Sequence, residues 1–371
     1  MIRKNQMRQL NFYSQYKNKK VLVTGHTGFK GSWLTFWLVL LGAKVIGLSA
    51  DIPTKPSHFK AIKLQNKINH KKMDIRDLKL LKKFFKKYQP DYVFHLAAQA
   101  IVKKSYANPI YTWETNTVGT LNILESLRTI RKNCIVVIIT SDKSYKNLEI
   151  KRGYRENDIL GGKDPYSASK ASAELAIQSY TSSFFPLKKT KVFIGIARAG
   201  NVIGGGDWSE NRLIPDCVKS WSENKKALIR NPKSTRPWQH VLEAVSGYLL
   251  LGLTLKKNKK LHGEAFNFGP NNNKNYSVIL LVKLIKKYWR EVSWKLSNKR
   301  KKSFYESNLL KLNSNKAKIK LKWKCILSFA ETINMVAYLY KNYYSNSKKM
   351  YEVSFNQIKK YEKLLKRKLI K

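Results

Sequence analysis

The sequence predicts an α/β fold: a doubly wound parallel sheet with helices on both faces, followed by a smaller mixed α/β lobe. Two observations support this prediction. Apolar runs rich in Val and Ile alternate with segments of helical spacing over the first 204 residues, and such runs are typical of strands buried on both faces. A glycine-rich turn joins the first run to the first helical segment, as in a βαβ unit.

The predicted elements follow one another as βαβ units. A strand at residues 21–25 leads into an apolar helix at 31–43 and a second strand at 44–51. Apolar residues recur three and four positions apart in the helical segments, which is the spacing of one helix face. The other predicted strands span residues 91–98, 134–142, 191–204 and 263–269. The other predicted helices span residues 78–88, 111–128 and 165–180.

Shifts in composition divide the chain into four predicted regions. These are a polar N-terminal arm (1–18), a parallel-sheet domain (19–204, with the strand near 263–269), a smaller lobe (205–340) and a Lys-rich helical extension (341–371). The lobe is expected to consist of short segments that contain Pro and Trp. The apolar residues of the extension share one helical face, which favours packing over a solvated tail: Phe355, Ile358, Tyr361, Leu364 and Leu365.

The chain is strongly basic. It has 73 Lys and Arg against 23 Asp and Glu, which gives a formal net charge of +50. That charge alone indicates a nucleic-acid or anionic-membrane partner. However, 59 of the basic residues are Lys and only 14 are Arg, whereas phosphate clamps favour the bidentate guanidinium. We attribute the charge mainly to biased coding, and predict no specific nucleic-acid partner. The alternative from a different functional class is a basic protein that binds nucleic acid or a membrane surface and uses the same α/β fold only as a scaffold.

The sequence indicates a cytoplasmic protein. Its longest apolar stretch, residues 31–43, is shorter than the ~20 residues that span a bilayer. The first 19 residues lack the apolar segment of a secretory signal. Cys134, Cys217 and Cys325 form no CxxC pair, which fits a reducing compartment. The histidines show no metal-binding spacing, so no metal site is predicted.

A glycine-rich turn separates the first predicted strand from the first predicted helix. Gly25, Gly28 and Gly31 permit a tight turn, let the backbone approach a pyrophosphate and leave the helix N-terminus open to negative charge. Asp51 follows about 20 residues on, where a carboxylate binds an adenosine ribose hydroxyl. This favours NAD over NADP. A purely structural turn, and an ordinary aspartate before Pro53, stay open as alternatives.

Tyr166 and Lys170 lie four residues apart, on the same face of one predicted helix. A phenol has an ordinary pKa near ~10, and an adjacent ammonium favours the phenolate, so Tyr166 is predicted to act as a base. Lysine is abundant enough here to produce such a pair by chance. Ser141, at the end of a predicted strand, adds a hydroxyl that can share the proton of a substrate.

These residues together resemble the extended short-chain dehydrogenase/reductase family, of the NAD-dependent epimerase/dehydratase type, from about residue 19 to residue 340. The resemblance also rests on the run from His95 to Ala98 and on Asn116. Longer motifs are similar to those of nucleotide-sugar 4,6-dehydratases, and within them to enzymes acting on CDP-glucose. They are TGHTGFKGSWL, TSDKSYKN, LGGKDPYSASKA, RAGNVIGGGDW and RPWQHVLE. One departure is Ser144, where that group has a cysteine.

The resemblance implies a Rossmann domain that binds NAD, a second lobe that binds a nucleotide sugar, and a homodimer formed through the helices at 111–128 and 165–180. The implied NAD contacts are Gly25, Gly28, Phe29, Lys30, Gly31, Asp51, Asp74, Ile75, Leu96, Ala97, Ala98, Thr115, Tyr166 and Lys170. The implied substrate contacts are Asn201, Arg212 and Arg236, and a structural salt bridge is the alternative for each arginine. The turn at 204–206 is expected to let the lobe close.

The resemblance also implies a mechanism for dehydrating CDP-glucose. Tyr166 removes the C4 hydroxyl proton as NAD oxidises C4, Ser141 orients the C4 oxygen, and Lys170 lowers the pKa of Tyr166. Lys143 then removes the C5 proton and Asp142 protonates the leaving C6 hydroxyl, before hydride returns to C6. Lys143 needs a lowered pKa for this role, and a surface Asp142–Lys143 ion pair is the simpler alternative.

The residue at position 143 bears on the substrate and pathway implied by the resemblance. Dehydratases for other nucleotide sugars usually carry Glu where Lys143 stands, which favours CDP-glucose and deoxysugar synthesis for a surface polysaccharide such as lipopolysaccharide. Another nucleotide-sugar 4,6-dehydratase or a 4-epimerase stays open.

Overall fold

The computed structural model describes residues 13–270, 275–297 and 310–370, and the side chains up to residue 368. A seven-stranded parallel sheet forms its centre, in the order β7-β6-β5-β4-β1-β2-β3. The strands are Lys20–Thr24 (β1), Lys44–Ser49 (β2), Asn69–Lys72 (β3), Tyr92–His95 (β4), Cys134–Ile139 (β5), Val192–Ala199 (β6) and Ala265–Phe268 (β7). The predicted doubly wound parallel sheet is confirmed.

Helices cover both faces of this sheet. The longer ones are Phe29–Leu40 (α1), Leu78–Tyr88 (α2), Gly119–Leu127 (α3), Pro165–Ser183 (α4), Leu213–Ser222 (α5), Val241–Lys257 (α6), Val278–Tyr288 (α7), Phe329–Ser345 (α8) and Met350–Ile370 (α9). Shorter helical segments are Ser14–Tyr16, His58–Ala61, Leu64–Lys67, Val102–Ala107, Pro109–Trp113, Glu114–Val118, Asp142–Ser144, Lys259–Leu261, Ala317–Leu321 and Ser347–Lys349. Three small ladders pair Val202–Ile203 with Gln239–His240, Thr235–Arg236 with Tyr276–Ser277, and Ala227–Ile229 with Trp294–Leu296.

The alternation of side chains along each strand builds two cores. In β1, Val21 and Val23 pack with α1 and α6 on one face, whereas Leu22 packs with α2 and α3 on the other. A third apolar cluster lies in the lobe between α5, α7 and α8. Because β1 is bonded to both β2 and β4, the strand order reverses beside β1. Folds of this class bind ligands outside the carboxyl ends of the strands at such a point.

Strand β3 and the lobe helices α5, α6, α7 and α8 were not predicted. Strand β3, with the sequence Asn-His-Lys-Lys, is exposed at the sheet edge and has no apolar alternation to reveal it. Helix α6 is buried along nearly its whole length, so it lacks the polar face that marks an amphipathic helix. The expectation of short segments throughout the lobe was therefore wrong.

The helix predicted at residues 111–128 is interrupted. Its N-terminal part, Pro109–Trp113, passes through a π-helical turn, Glu114–Val118, before α3 begins. Such turns are often found at functional sites. This one directs Thr115 and Asn116 into the protein interior.

Both described ends of the chain pack on the body. Tyr16 is fully buried and its hydroxyl donates to the Leu249 carbonyl. In α9, Ile358 and Tyr361 are fully buried and belong to the same core as α1, so the apolar face of the extension packs against the body. Among the described helices, none is long and apolar enough to cross a membrane.

A buried ion pair joins the sheet to α4. Arg198 of β6 and Glu174 of α4 are 1% and 0% exposed at their side chains. The guanidinium Nε donates to both Glu174 oxygens at 2.9 Å. The Thr140 hydroxyl donates to the same carboxylate, and Arg198 also donates to the Tyr145 hydroxyl at 2.6 Å. The pair therefore links β5, β6, α4 and the segment that follows Ser144.

We expect Glu174→Gln to lower the free energy of unfolding by about 3–5 kcal/mol, because removing one partner leaves the Arg198 charge buried and uncompensated. Urea denaturation followed by circular dichroism measures this change. Glu223→Gln, which breaks an exposed pair with Lys225, is the matched control and should leave the midpoint unchanged. Equal effects of the two substitutions would contradict the role assigned to the buried pair.

Candidate active site

Two clefts meet at the carboxyl edge of the sheet. The first, of about 680 Å³, lies over the glycine turn and is called the glycine-turn cleft. The second, of about 770 Å³, lies between the sheet edge and α5 and is called the lobe cleft. Phe29, Lys30, Tyr166 and Arg212 line both. The clefts are therefore neighbouring parts of one site, and Tyr166 stands at their junction.

The glycine turn leaves no room for side chains. Gly25 has φ +71°, and a Cβ there would lie 2.6 Å from the Ala97 nitrogen. A Cβ on Gly31 would lie 2.0 Å from the Gly25 carbonyl oxygen. Gly28 caps α1 without a side-chain hydrogen bond to the helix, so the first turn of the helix remains open to an anion. This geometry suits a pyrophosphate.

The structure brings together all the residues that were predicted to contact NAD. Each of them lines the glycine-turn cleft: Gly25, Gly28, Phe29, Lys30, Gly31, Asp51, Asp74, Ile75, Leu96, Ala97, Ala98, Thr115, Tyr166 and Lys170. Asp51 lies two residues beyond the end of β2, and its carbonyl accepts from the Thr27 hydroxyl at 2.6 Å. The buried Thr115 hydroxyl has no hydrogen-bond partner within the described protein, so it is available to a ligand.

The short turn after β5 holds three predicted catalytic residues. Ser141 caps the turn Asp142–Ser144, and its hydroxyl donates to Asp142 Oδ1 at 2.8 Å. Asp142 is 5% exposed, and Lys143 is half-buried. Both side chains line the lobe cleft. The simpler alternative, a surface ion pair between Asp142 and Lys143, is therefore wrong.

Tyr166 and Lys170 project from the first two turns of α4. Burial raises the pKa of Tyr166, and a hydrogen bond with Ser141 partly offsets this. Burial, and then repulsion from Lys30, lowers the pKa of Lys170 to about 7, although Glu174 acts in the opposite direction. We expected Lys170 to lower the pKa of Tyr166. Without a bound ligand, burial dominates instead and the phenol keeps its proton.

The three predicted substrate contacts line the lobe cleft: Asn201, Arg212 and Arg236. Arg212 donates to Asp207 Oδ2 at 2.9 Å, so the salt bridge left open as an alternative is present while the side chain still lines the cleft. Asn201, two residues beyond the end of β6, adopts φ +51°. Burial, and then repulsion from the nearby Arg212, lowers the pKa of Lys30 to about 8.

Gly200 is a site residue that sequence reasoning missed. A Cβ at this position would lie 2.0 Å from Asp142 Oδ2 and 2.7 Å from Oδ1. Only glycine therefore lets the Asp142 carboxylate occupy its place. The motif RAGNVIGGGDW contains this glycine, but a contact with a residue 58 positions earlier leaves no local sequence signal.

The turn at residues 204–206 was expected to let the lobe close. All three glycines are buried. A Cβ on Gly204 would lie 2.7 Å from Val241, and one on Gly205 would lie 2.4 Å from Leu339. The Gly205 carbonyl also accepts from Trp33 Nε1 at 2.9 Å. These glycines permit close packing of the turn against the neighbouring helices. We therefore assign the turn a structural role in place of the expected role in lobe closure.

The described residues contain no group of three or more His, Cys, Asp or Glu side chains able to hold a metal ion. The histidines near the edge serve other purposes. His95 is buried, contacts the Thr24 hydroxyl at 2.7 Å and the Thr120 hydroxyl at 3.2 Å, and burial lowers its pKa to about 3. It therefore remains neutral and structural between β1 and α3.

The low pKa of Lys170 should make the stability of the protein depend on pH. Lys170 binds a proton less readily in the folded protein than in the unfolded chain, where a lysine has a pKa near ~10.4. The unfolded state therefore binds more protons between about pH 7 and 10, and stability should rise with pH across that window. Lys170→Met should flatten this rise in urea denaturation at pH 7 and pH 9.

The control for that experiment is Lys44→Met, which removes an exposed lysine at the start of β2. It should leave the pH dependence of the wild type unchanged. An unaltered slope in Lys170→Met would show that Lys170 keeps an ordinary affinity for protons in the folded protein.

Comparison with known proteins agrees with this geometry. The GDP-mannose 4,6 dehydratase family model matches residues 22–336. The CDP-glucose 4,6-dehydratase of Salmonella typhimurium is 42% identical over 330 residues, which cover 88% of this chain and 91% of that enzyme.

Solved structures show the same fold. The epimerase Mth375 of Methanothermobacter thermautotrophicus superposes with a TM-score of 0.78 and 26% identity, over 92% of this chain and 97% of that one. The dTDP-glucose 4,6-dehydratase of Bacillus anthracis, solved in complex with NAD, has a TM-score of 0.69 and 22% identity, over 87% of this chain and 97% of that one. The chain belongs to the GDP-mannose 4,6 dehydratase family.

Proposed function

We propose that this protein is an NAD-dependent hydro-lyase that converts CDP-D-glucose into CDP-4-dehydro-6-deoxy-D-glucose. The observation that carries the proposal is the position of Tyr166 between the two clefts, with Asp142 and Lys143 beside it on the lobe side only. A base at the junction suits oxidation of a sugar carbon next to a dinucleotide. An acid and a base on the sugar side suit the elimination of water.

The glycine-turn cleft fits a dinucleotide. The open N-terminus of α1 and the close approach at Gly31 suit its pyrophosphate, and Asp51 lines the cleft where a ribose would lie. Thr115 offers an unpartnered hydroxyl in the same cleft. Bound NAD would accept hydride from C4 and return it to C6.

Side chains of this protein carry out the proton transfers and bind the substrate. Tyr166 takes up the proton of the C4 hydroxyl, and Lys170 lies one helical turn away on α4. Lys143 removes the proton at C5, which is acidic because C4 has become a ketone. Asp142 protonates the C6 hydroxyl, which leaves as water. Arg212 and Arg236 provide the cations that a diphosphate needs.

The choice of CDP-glucose rests on relatedness and on Lys143. A relative named CDP-glucose 4,6-dehydratase is 42% identical over 88% of this chain. In the resemblance already noted, dehydratases for other nucleotide sugars usually carry Glu at the place of Lys143. The following experiment distinguishes this reaction from dehydration of a different nucleotide sugar and from 4-epimerisation without loss of water.

We expect the purified protein with NAD to remove one water from CDP-glucose, but not from dTDP-glucose or GDP-mannose, as followed by mass spectrometry. Lys143→Ala should slow this reaction by about 10²-fold or more, as is typical when a general base is lost. The matched control is Lys146→Ala, an exposed lysine three residues further on, which should react at the wild-type rate.

Water loss from another nucleotide sugar would keep the mechanism and replace the substrate. A change in the sugar without any change in mass would indicate an epimerase. Binding of NAD with no reaction of any of the three substrates would contradict the proposal.

We also propose a homodimer. The helices proposed for the interface pack side by side and expose large apolar side chains, which monomeric surfaces rarely gather in one place. These are Ile110, Trp113, Val118, Leu175 and Phe184. A second copy of the chain would bury them.

Leu175, on α4, is 55% exposed and tests the proposed interface. Leu175→Asp should raise the dimer dissociation constant by about tenfold or more, equivalent to about 1.4 kcal/mol. Size-exclusion chromatography with light scattering at several concentrations measures it. Ile159→Asp, in an exposed loop, is the control and should not change the mass. A wild-type protein that remains monomeric would contradict the dimer.

We place the protein in the cytoplasm, in the synthesis of deoxysugars for a surface polysaccharide such as lipopolysaccharide. Its cysteines, Cys134, Cys217 and Cys325, are all free thiols, which supports a reducing compartment. The product is a 4-ketosugar, so we expect the next enzyme to act on the ketone or on the carbons beside it.

A further inference from the structure

Of the described residues, three carboxylates line the lobe cleft: Asp142, Asp207 and Asp216. Asp142 is the proposed acid, and Asp207 forms an ion pair with Arg212 at 2.9 Å. Within the described part of the chain, Asp216 forms no ion pair, and its Oδ1 accepts from the Asn211 backbone N–H at 3.1 Å. No described group donates to Asp216 Oδ2, so this oxygen is available to a ligand.

An unpaired carboxylate is unexpected in a cleft that is proposed to bind a diphosphate, because like charges brought together weaken binding. The cations of the cleft suit the diphosphate without it: Arg212, Arg230 and Arg236 line the same space. A contact between Asp216 and a different part of the substrate would explain why a negative charge is present there.

Helix α5 places Asp216 farther from the reacting carbons than Arg212. Arg212 caps α5, Asp216 follows four residues later and Ser220 four residues after that, so the three share one helix face. All three line the lobe cleft, but of the three Arg212 alone also lines the glycine-turn cleft. Four residues of a helix rise by about 6 Å. Asp216 therefore lies about that far along the lobe cleft from Arg212, away from the junction at Tyr166.

The opposite wall of the cleft offers apolar surface to a flat ring. Leu228, in the strand Ala227–Ile229, is 48% exposed and lines the lobe cleft. Arg230 follows this strand and lines the cleft as well. Burial raises the pKa of Asp216, whereas the Asn211 N–H and then the charge of Arg230 lower it. The two walls therefore approach each other here, with an apolar side chain on one and a hydrogen-bond acceptor on the other.

The parts of a nucleoside diphosphate sugar follow in a fixed order: sugar, diphosphate, ribose and base. In the proposed function, Asp142 and Lys143 act on the sugar and Arg212 binds the diphosphate. The base must then lie beyond Arg212, in the part of the lobe cleft that Asp216 and Leu228 line.

We propose that Asp216 determines the base specificity of the enzyme by accepting a hydrogen bond from the 4-amino group of cytosine through Oδ2. This inference rests on the proposed function and deepens it, because it names a residue that recognises the base of the substrate.

Position 4 of the ring distinguishes cytosine from the other pyrimidines. Cytosine carries an amino group there, which donates, whereas thymine and uracil carry a carbonyl oxygen, which accepts. An ionised carboxylate can only accept. Asp216 would therefore bind cytosine and repel uracil or thymine, although the rings are similar in size. This selection is separate from Lys143, which acts at the sugar.

The test compares CDP with UDP, which differ only in the base. By isothermal titration calorimetry, the wild type should bind CDP at least about tenfold more tightly than UDP, because a hydrogen bond to a charged group is gained or lost. Asp216→Asn should shift this ratio towards UDP by at least about tenfold. Its amide oxygen can keep the bond from Asn211, while its NH₂ group takes the place of Oδ2 and donates to the uracil oxygen.

Steady-state kinetics with CDP-glucose locate the effect. Asp216→Asn should raise KM more than it lowers kcat, because the base is remote from the carbons that react. Asp216→Glu keeps the carboxylate and should still prefer CDP. Asp216→Ser is a second neutral variant, which replaces Asp216→Asn in the same assays should the asparagine variant not fold.

The matched control is Glu223→Gln. Glu223 follows α5 directly and lines neither cleft, so this variant makes the same change of charge at the other end of the helix. It should keep the wild-type ratio of CDP to UDP affinity. Urea denaturation shows whether each variant keeps its fold.

The outcomes separate base selection from a structural role and from the proposed function. Equal weakening of CDP and UDP by Asp216→Asn would show that Asp216 only supports the cleft, and would contradict the inference. A wild type that binds CDP and UDP equally would contradict it too. If Asp216→Asn shifts the preference as expected but the wild type removes water from no nucleotide sugar, the base selection stands and the proposed dehydration is wrong.

Discussion

The site depends on the buried ion pair between Arg198 and Glu174. Glu174 lies one helical turn after Lys170 on α4, so the pair fixes the helix that presents Tyr166 and Lys170 to the two clefts. Through Tyr145, Arg198 also reaches the segment that follows the Ser141 turn. An isolated charge this deeply buried would be costly. The pair therefore enforces one arrangement of strand, helix and turn, and the geometry of the site follows from it.

The cations at the carboxyl edge of the sheet matter more for ligand binding than the net charge of the whole chain. Its net charge of +50 is spread along the chain, but cations also meet at the sheet edge. Burial, and then repulsion from Arg212, lowers the pKa of Lys30. Burial, and then repulsion from Lys30, lowers the pKa of Lys170. Anionic ligands would relieve that repulsion by supplying opposite charge. The basic site is therefore better matched to a dinucleotide and a diphosphate sugar than to a long polyanion.

The two clefts separate two kinds of chemistry. The glycine-turn cleft is shaped by backbone, because Gly25 and Gly31 admit no side chain, whereas the lobe cleft presents Asp142 and Lys143. Oxidation and elimination must follow each other on one bound sugar, and Tyr166 touches both spaces.

The sequence by itself determined six of the seven strands of the central sheet, the glycine turn and the Tyr166–Lys170 pair, because these depend on neighbours in the chain: an apolar run, three glycines, a tyrosine and a lysine one turn apart. The other predicted contacts came from the family resemblance. It did not predict β3 or α6, which lack the amphipathic spacing that marks an element. Only the tertiary structure decided that Gly200 admits the Asp142 carboxylate, that Glu174 pairs with Arg198, and which way Ser141 donates. Those contacts join residues from separate strands, helices and turns, and packing alone sets their distances.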